Sequence, residues 1–263
     1  MSKADEAAAI AAEKQKIQIS LERHPVVSLE QWLEARLALL DKEKAFSKLE
    51  DELAAQRRAL PWVKVEKDYA FTTPEGDVSL KELFGEHSQL FVKHFMMGPG
   101  QAWQCAGCTL EASHVDGLLD YLDHHDTAYV AVARAPIDEI LAVKKRMGWR
   151  FRWVSSSPSD FNYDFHVSFR PEELERGRAF YNFREFDPQG NADLSGNSVF
   201  YKDASGAIFH AYGAFGRGCE QFLGIYGILD VLPKGREEYG PTRSLPDWAS
   251  FKVKGIHDCH CGS

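Results

Sequence analysis

Two hydrophobic periods divide this chain. Leu29, Trp32, Leu33, Leu37, Leu40, Leu49 and Leu53 recur three and four residues apart, the spacing of one helix face. Ser28 and Gln31 form an S-x-x-Q capping box ahead of that run, and Pro61 stops it. The spacing predicts one helix of roughly 30 residues, about 45–50 Å long at 1.5 Å per residue. It either packs along one face of a domain or serves as an arm that makes a homodimer. Upstream, residues 1–24 are rich in Ala, Glu and Lys with thin apolar spacing, compatible with a helix or with partial disorder, and "HPVV" interrupts them.

From about Tyr69 the period shortens. "YAFTTPEGDVSLKELF" reads as a strand, a turn at Pro74–Gly76, a second strand and a short helix. "QLFVKHFMM" (89–97) and "TAYVAVARA" (127–135) are continuous apolar runs of the kind buried on both sheet faces. Between them Val115, Leu118, Leu119 and Leu122 mark an amphipathic helix. After them "IDEILAVKKRM" marks another, which Gly148 ends. "WRFRWVSS" is a further strand, "SPSDFNYDF" a loop, and "SVFYKD" and "AIFHAYGAF" flank "ASG" as a β-hairpin. Gly216–Gly218 opens a last helix, "CEQFLGIYGILDVL".

The order over residues 65–232 is β-β-α-β-α-β-loop-β-β-α, with Cys105 and Cys108 at the start of the first long helix. A parallel βαβ half followed by a β-hairpin and a closing helix is the thioredoxin arrangement. The expected fold class is therefore α/β, a thioredoxin-like mixed sheet with a long N-terminal helical extension. Residues 1–64 form the extension, 65–232 the thioredoxin-like domain and 233–263 a tail.

Composition narrows the function. The net charge of −8 lacks the basic surface of a nucleic-acid binder or a polybasic membrane-surface protein. The N-terminus shows no apolar signal core, and no run approaches the roughly 18 apolar residues of a membrane span. A cytoplasmic protein is expected. Five cysteines are too few and too uneven for a disulfide framework, so the close pair points to redox or metal chemistry.

That pair, in "AWQCAGCTLEAS", sits where a helix begins. Unpaired N–H groups and the positive end of the macrodipole favour thiolate at Cys105. A two-residue spacer lets Cys108 reach back one turn and attack a mixed disulfide on Cys105. Gly107 leaves the backbone free to turn, and Trp103 offers an apolar lip beside the sulfur, so both are candidate substrate-binding residues. A redox pair is the favoured reading. A metal site and two inert structural cysteines are the alternatives.

The stretches "VVSLEQWLEARLALLDKEK", "QLFVKHFMMGP", "CAGC", "VKKRMGWRFRWVSS", "SDFNYDFHVSF" and "SVFYKDASGAIFHAY" resemble the family catalogued as domain of unknown function 899. Its members are bacterial thioredoxin-like proteins described as predicted dithiol–disulfide oxidoreductases. The resemblance covers about residues 25–240. It implies a thioredoxin fold and an active site at Cys105 and Cys108, but no known substrate. The thiol chemistry by itself leads us to expect a protein or small-molecule disulfide or thiol as substrate and no cofactor. Two departures from thioredoxins proper stand out. Gln104 displaces Trp103 from the first cysteine and the spacer is Ala-Gly, and no proline precedes the hairpin strand in "LSGNSVFY". A peroxiredoxin P-x-x-x-T-x-x-C pattern is not met, since Gly98 and Ala102 stand at its Pro and Thr positions.

The tail "HDCHC" supplies His257, Cys259, His260 and Cys261 as candidate zinc or copper ligands. A thiol pair that exchanges with Cys105–Cys108 is a further alternative, and a solvated end with incidental cysteines is the favoured reading. A metal-binding, non-enzymatic protein using these thiols is thus the competing functional class. His94 and His210 fall on strands as core or cleft residues, Asp160, Asn162 and Asp164 on a turn or cleft loop, and Cys219 as a partly buried thiol.

Overall fold

A computed structural model describes residues 3–101 and 104–239. The chain falls into two compact units, Met1–Pro61 and Trp62–Ser263. The first holds α1 (Lys3–Glu22) and α2 (Leu29–Arg58). The Ala-rich segment is helical despite its thin apolar spacing, consistent with the propensity of Ala, Glu, Gln and Lys. α2 starts at the expected capping box: the Gln31 amide donates to Ser28 Oγ at 3.3 Å and the Ser28 amide to Gln31 Oε1 at 3.2 Å. Taken by itself, α2 buries none of its side chains. No helix among the described residues is long and apolar enough to cross a membrane.

The second unit begins with β1 (Val63–Lys64), β2 (Ala70–Thr73), β3 (Gly76–Ser79), α3 (Leu80–Leu83) and β4 (Gln89–His94). α4 (Ala106–Asp116) and α5 (Leu119–His124) lead to β5 (Thr127–Ala133), and α6 (Ile137–Met147) leads to β6 (Arg152–Ser155). The stretch expected to be one loop carries α7 (Phe161–Asp164), α8 (Pro171–Glu175) and a hairpin of β7 (Ala179–Tyr181) and β8 (Arg184–Phe186). β9 (Gly196–Lys202) and β10 (Ile208–Phe215) form the expected long hairpin. The last helix is shorter than its hydrophobic run implies: a 3-10 segment, Gly216–Phe222, precedes a brief α9 (Gly224–Leu229). Gly224 lies so close to the His114 ring that an added Cβ would come within 2.3 Å of it. Glycine there permits the close approach and weakens the helix. The helix after the cysteines is likewise divided, at Gly117.

The sheet has eight strands in the order β1-β10-β9-β4-β5-β6-β2-β3. β4, β5 and β6 are parallel, β9 is antiparallel to β4, and β10 is antiparallel to β9. The block β10-β9-β4-β5, with helices connecting β4 to β5, is the thioredoxin fold. Alternation along β4 sorts the core into two layers. Leu90, Val92 and His94 face Phe161 and Phe200, whereas Phe91, Lys93 and Phe95 face the layer that contains Cys105, Cys108 and Trp153.

Two predictions come from this packing. At Gly196 an added Cβ would lie 2.7 Å from Phe215 Cδ1 and 3.1 Å from Val167 Cγ1. Gly196→Ala should therefore cost about 1–3 kcal/mol of stability, read as a lower urea midpoint. His94 is buried, bonds Ser198 Oγ through Nε2 at 2.8 Å, and is held down to about 3 by burial, then by the charge of Lys93 and by His210. The unfolded chain binds this proton below about 6.5 and the folded chain does not. Stability is then full above that pH and falls between about pH 6.5 and 3, by at most about 1.4 kcal/mol per unit. His94→Gln should flatten the slope; equal slopes in both proteins would rule His94 out as the cause.

Candidate active site

The segment joining β4 to α4 is built from internal hydrogen bonds. Gly98 N–H donates to Gln101 Oε1 at 3.1 Å, and Gln101 Nε2 returns to Met96 O at 3.1 Å. The Gly98 Cα faces Asp193, whose Oδ2 would lie 2.6 Å from an added Cβ. Asp193 is itself gripped by Arg134 through two bonds of 2.7 Å and by Ser168 Oγ at 2.6 Å. The glycine in "GPG" thus lets the strand exit lie against a fixed carboxylate. Gln104 is buried and clamped: its Nε2 donates to Thr109 Oγ1 and its Oε1 accepts from Arg146 Nη2, each at 2.8 Å.

Cys105 is the N-cap of α4. Its sulfur accepts the Cys108 amide at 3.4 Å, the geometry in which a helix start stabilises thiolate. Gly107 belongs to the regular first turn of the helix, so the turn comes at Cys105 instead. Trp103 lies outside the described residues.

Cys108 is 1% exposed. Its sulfur accepts the Met96 amide at 3.4 Å. Burial alone would push this thiol up, but the hydrogen bond from Cys105, the charge of Lys93 and the Met96 amide outweigh it and lower the pKa. Lys93, on β4, is 1% exposed, and its Nζ lies 2.6 Å from Oε2 of Glu111, also 1% exposed. Burial pulls the Lys93 pKa down, yet Glu111, then Cys108 and Cys219, raise it further, so the ammonium stays charged. Tyr129 and Tyr181 feel the same charges. Cys219 is buried, donates to Ala214 O at 3.3 Å, and is pushed up to about 12 chiefly by burial, which leaves it a poor nucleophile.

Lys93 and Glu111 were not among the sequence candidates. Their signals are a lysine inside a strand otherwise buried on both faces, and a glutamate three residues after Cys108, hence on the same helix face. His94 and His210 lie on the opposite sheet face, packed against Phe165 and Phe200. Asp160 and Asp164 pair with Lys67 at 3.0 and 2.7 Å, and Asn162 accepts from Ser156 Oγ at 2.8 Å. Among the described residues no three His, Cys, Asp or Glu side chains gather as metal ligands. His257, Cys259, His260 and Cys261 lie outside those residues.

Topology and thiol placement define a thioredoxin-fold protein with paired cysteines at the first core helix. The chain belongs to the family described as bacterial protein of unknown function (DUF899), whose model matches residues 21–252. Comparison with curated proteins finds no match. Similar solved structures include peroxidoxin BcpB from Mycobacterium tuberculosis, 13% identical over 62% of this chain and 92% of that chain at a TM-score of 0.41. Another is Peroxiredoxin Q from Xanthomonas campestris, 12% identical over 67% and 99% at a TM-score of 0.43.

Removing one partner of the buried pair tests its role. Glu111→Gln strands the Lys93 charge and should cost about 3–5 kcal/mol, whereas Lys93→Met with Glu111→Leu should be near neutral in stability. The double variant should nonetheless raise the Cys108 pKa, measured by site-resolved ¹³Cβ NMR titration of labelled cysteine.

Proposed function

We propose that this protein is a thiol–disulfide oxidoreductase, with Cys105 the attacking thiolate and Cys108 the resolving thiol. The observation that carries this reading is the asymmetry of the pair: Cys105 caps the helix start and its sulfur accepts the Cys108 amide at 3.4 Å, while Cys108 lies buried beneath it at 1% exposure. Cys105 thiolate attacks one sulfur of a substrate disulfide. A Cys105–substrate disulfide forms, the substrate S–S bond breaks, and the departing thiolate takes a proton from solvent. Cys108 thiolate then attacks the Cys105 sulfur, which closes the Cys105–Cys108 disulfide and releases the second substrate thiolate. The substrate gains two electrons and the protein dithiol loses them. An external dithiol returns the pair to its reduced state, and the same steps run backwards oxidise a substrate dithiol.

A lowered Cys108 pKa suits resolution, because the second thiol ionises without a separate base in contact with solvent. The bonds that hold Gln104 and Gly98 fix the helix start, which keeps the two cysteines within reach of each other.

The trapping experiment tests the assignment of roles. Cys108→Ser should accumulate a mixed disulfide on Cys105 that intact-mass spectrometry identifies, and Cys105→Ser should not. Wild-type protein should reduce insulin in the presence of a small dithiol. A Cys105 pKa at the free-thiol value of about 8.5, together with no disulfide turnover, would falsify the reading.

A further inference from the structure

The least expected side chain in the second unit is Asn197. It is 0% exposed, and neither its amide oxygen nor its amide nitrogen has a hydrogen-bond partner among the described residues. A buried amide without partners costs several kcal/mol, and an apolar residue of similar size would remove that cost. A core position that breaks this rule signals a functional demand.

Register locates the demand. Asn197 on β9 is the direct cross-strand partner of Lys93 on β4, so the two side chains share the cysteine face at neighbouring positions. The same row continues to Ala214 on one side and Ala131 on the other, both small. Above it lies α4 with Cys108 and Glu111. Three more buried polar atoms on this face, Glu111 Oε1, Tyr129 OH and Trp153 Nε1, also lack a protein partner among the described residues. Tyr129 pairs with Phe91, two residues before Lys93 on β4. Lys93 Nζ carries three N–H groups, of which Glu111 Oε2 occupies one. Unmet donors and acceptors are therefore concentrated around one ion pair, and they include both kinds. This is the setting in which internal water, with two to four polar partners, belongs to the fold.

We propose that Asn197 is a positioning residue: it anchors enclosed water against the Lys93–Glu111 pair, and that hydration keeps the pair charged beside Cys108. Without it the dry pair drifts towards its neutral forms, Lys93 no longer offers a cation to the Cys108 sulfur, and Cys108 reverts towards an ordinary buried thiol. The inference rests on the oxidoreductase reading for its catalytic meaning, but its test does not require turnover.

The test uses the full, reduced chain with both cysteines present and three versions of position 197: Asn, Leu and Ser. Water oxygen-17 relaxation dispersion reports long-lived internal water, and ¹³Cβ NMR titration reports the Cys108 pKa. Asn197→Leu should lose internal water and raise the Cys108 pKa by about one unit or more, with stability unchanged or increased. Asn197→Ser, which retains a hydroxyl and leaves room for water, should keep both signals. If Asn197→Leu folds with unchanged water and an unchanged Cys108 pKa, the proposal is overturned and Asn197 is only a packing residue. If Asn197→Leu does not fold, Asn197→Ser decides: loss of the low Cys108 pKa there, with water retained, also overturns it. Loss of insulin reduction with these signals intact would count against the oxidoreductase reading and not against this one.

Discussion

The buried ion pair between Lys93 and Glu111 is the constraint around which the thiol layer is arranged. It joins the central strand β4 to the helix that starts at Cys105, and both partners are 1% exposed. Two charges removed from water repay their desolvation only when they face each other closely. At 2.6 Å that condition is met, so α4 has one seating on the sheet: the one that brings Glu111 over Lys93. Cys108, one turn earlier on the same helix face, is carried to the Met96 amide by that seating. An apolar pair would pin the helix as well.

The entry to the helix is held by a second set of polar contacts. Arg134, Ser168 and Asp193 brace the turn at Gly98, and Arg146 and Thr109 grip Gln104. On the opposite lip, Leu194 packs against the cluster that contains both cysteines, and its amide donates to Val167 O at 2.8 Å. That backbone donor is committed within the protein. Together with the absent proline before Val199 and the buried Gln104 in place of an adjacent tryptophan, this gives the thiol site a rim unlike that of a thioredoxin proper. The fold is shared; this rim is not.

How much of this was legible in the sequence depends on the kind of signal. The strand at "QLFVKHFMM", the helix over 137–147 with Gly148 as its left-handed cap, and the 196–215 hairpin are written in periodicity and turn chemistry, which act locally. The insert between β6 and β9 was read as a loop because β7 and β8 have three residues each and their turn places Asn182 and Phe183 at positive φ, a conformation Phe does not advertise. Cys105 and Cys108 were visible as a motif. Lys93, Glu111 and Asn197 were not, because each looks ordinary alone and acquires meaning only from cross-strand register and from a helix face 18 residues away.

One buried cation acts on both faces of the sheet. Lys93 and His94 are neighbours on β4 and point to opposite layers, yet the Lys93 charge contributes to lowering both His94 and Cys108. For an imidazole a lowered pKa means neutrality, and for a thiol it means ionisation. The aromatic layer around Phe161 and Phe165 therefore keeps an uncharged histidine bonded to Ser198, while the thiol layer keeps a sulfur inclined to carry charge. The alternation of a single strand is enough to separate the two chemistries, since consecutive side chains never share a face. A lysine at position 93 stabilises the reactive state of one layer and the inert state of the other, and moving it by one residue would exchange its layer and its partner. The register of β4 is in this sense part of the candidate site.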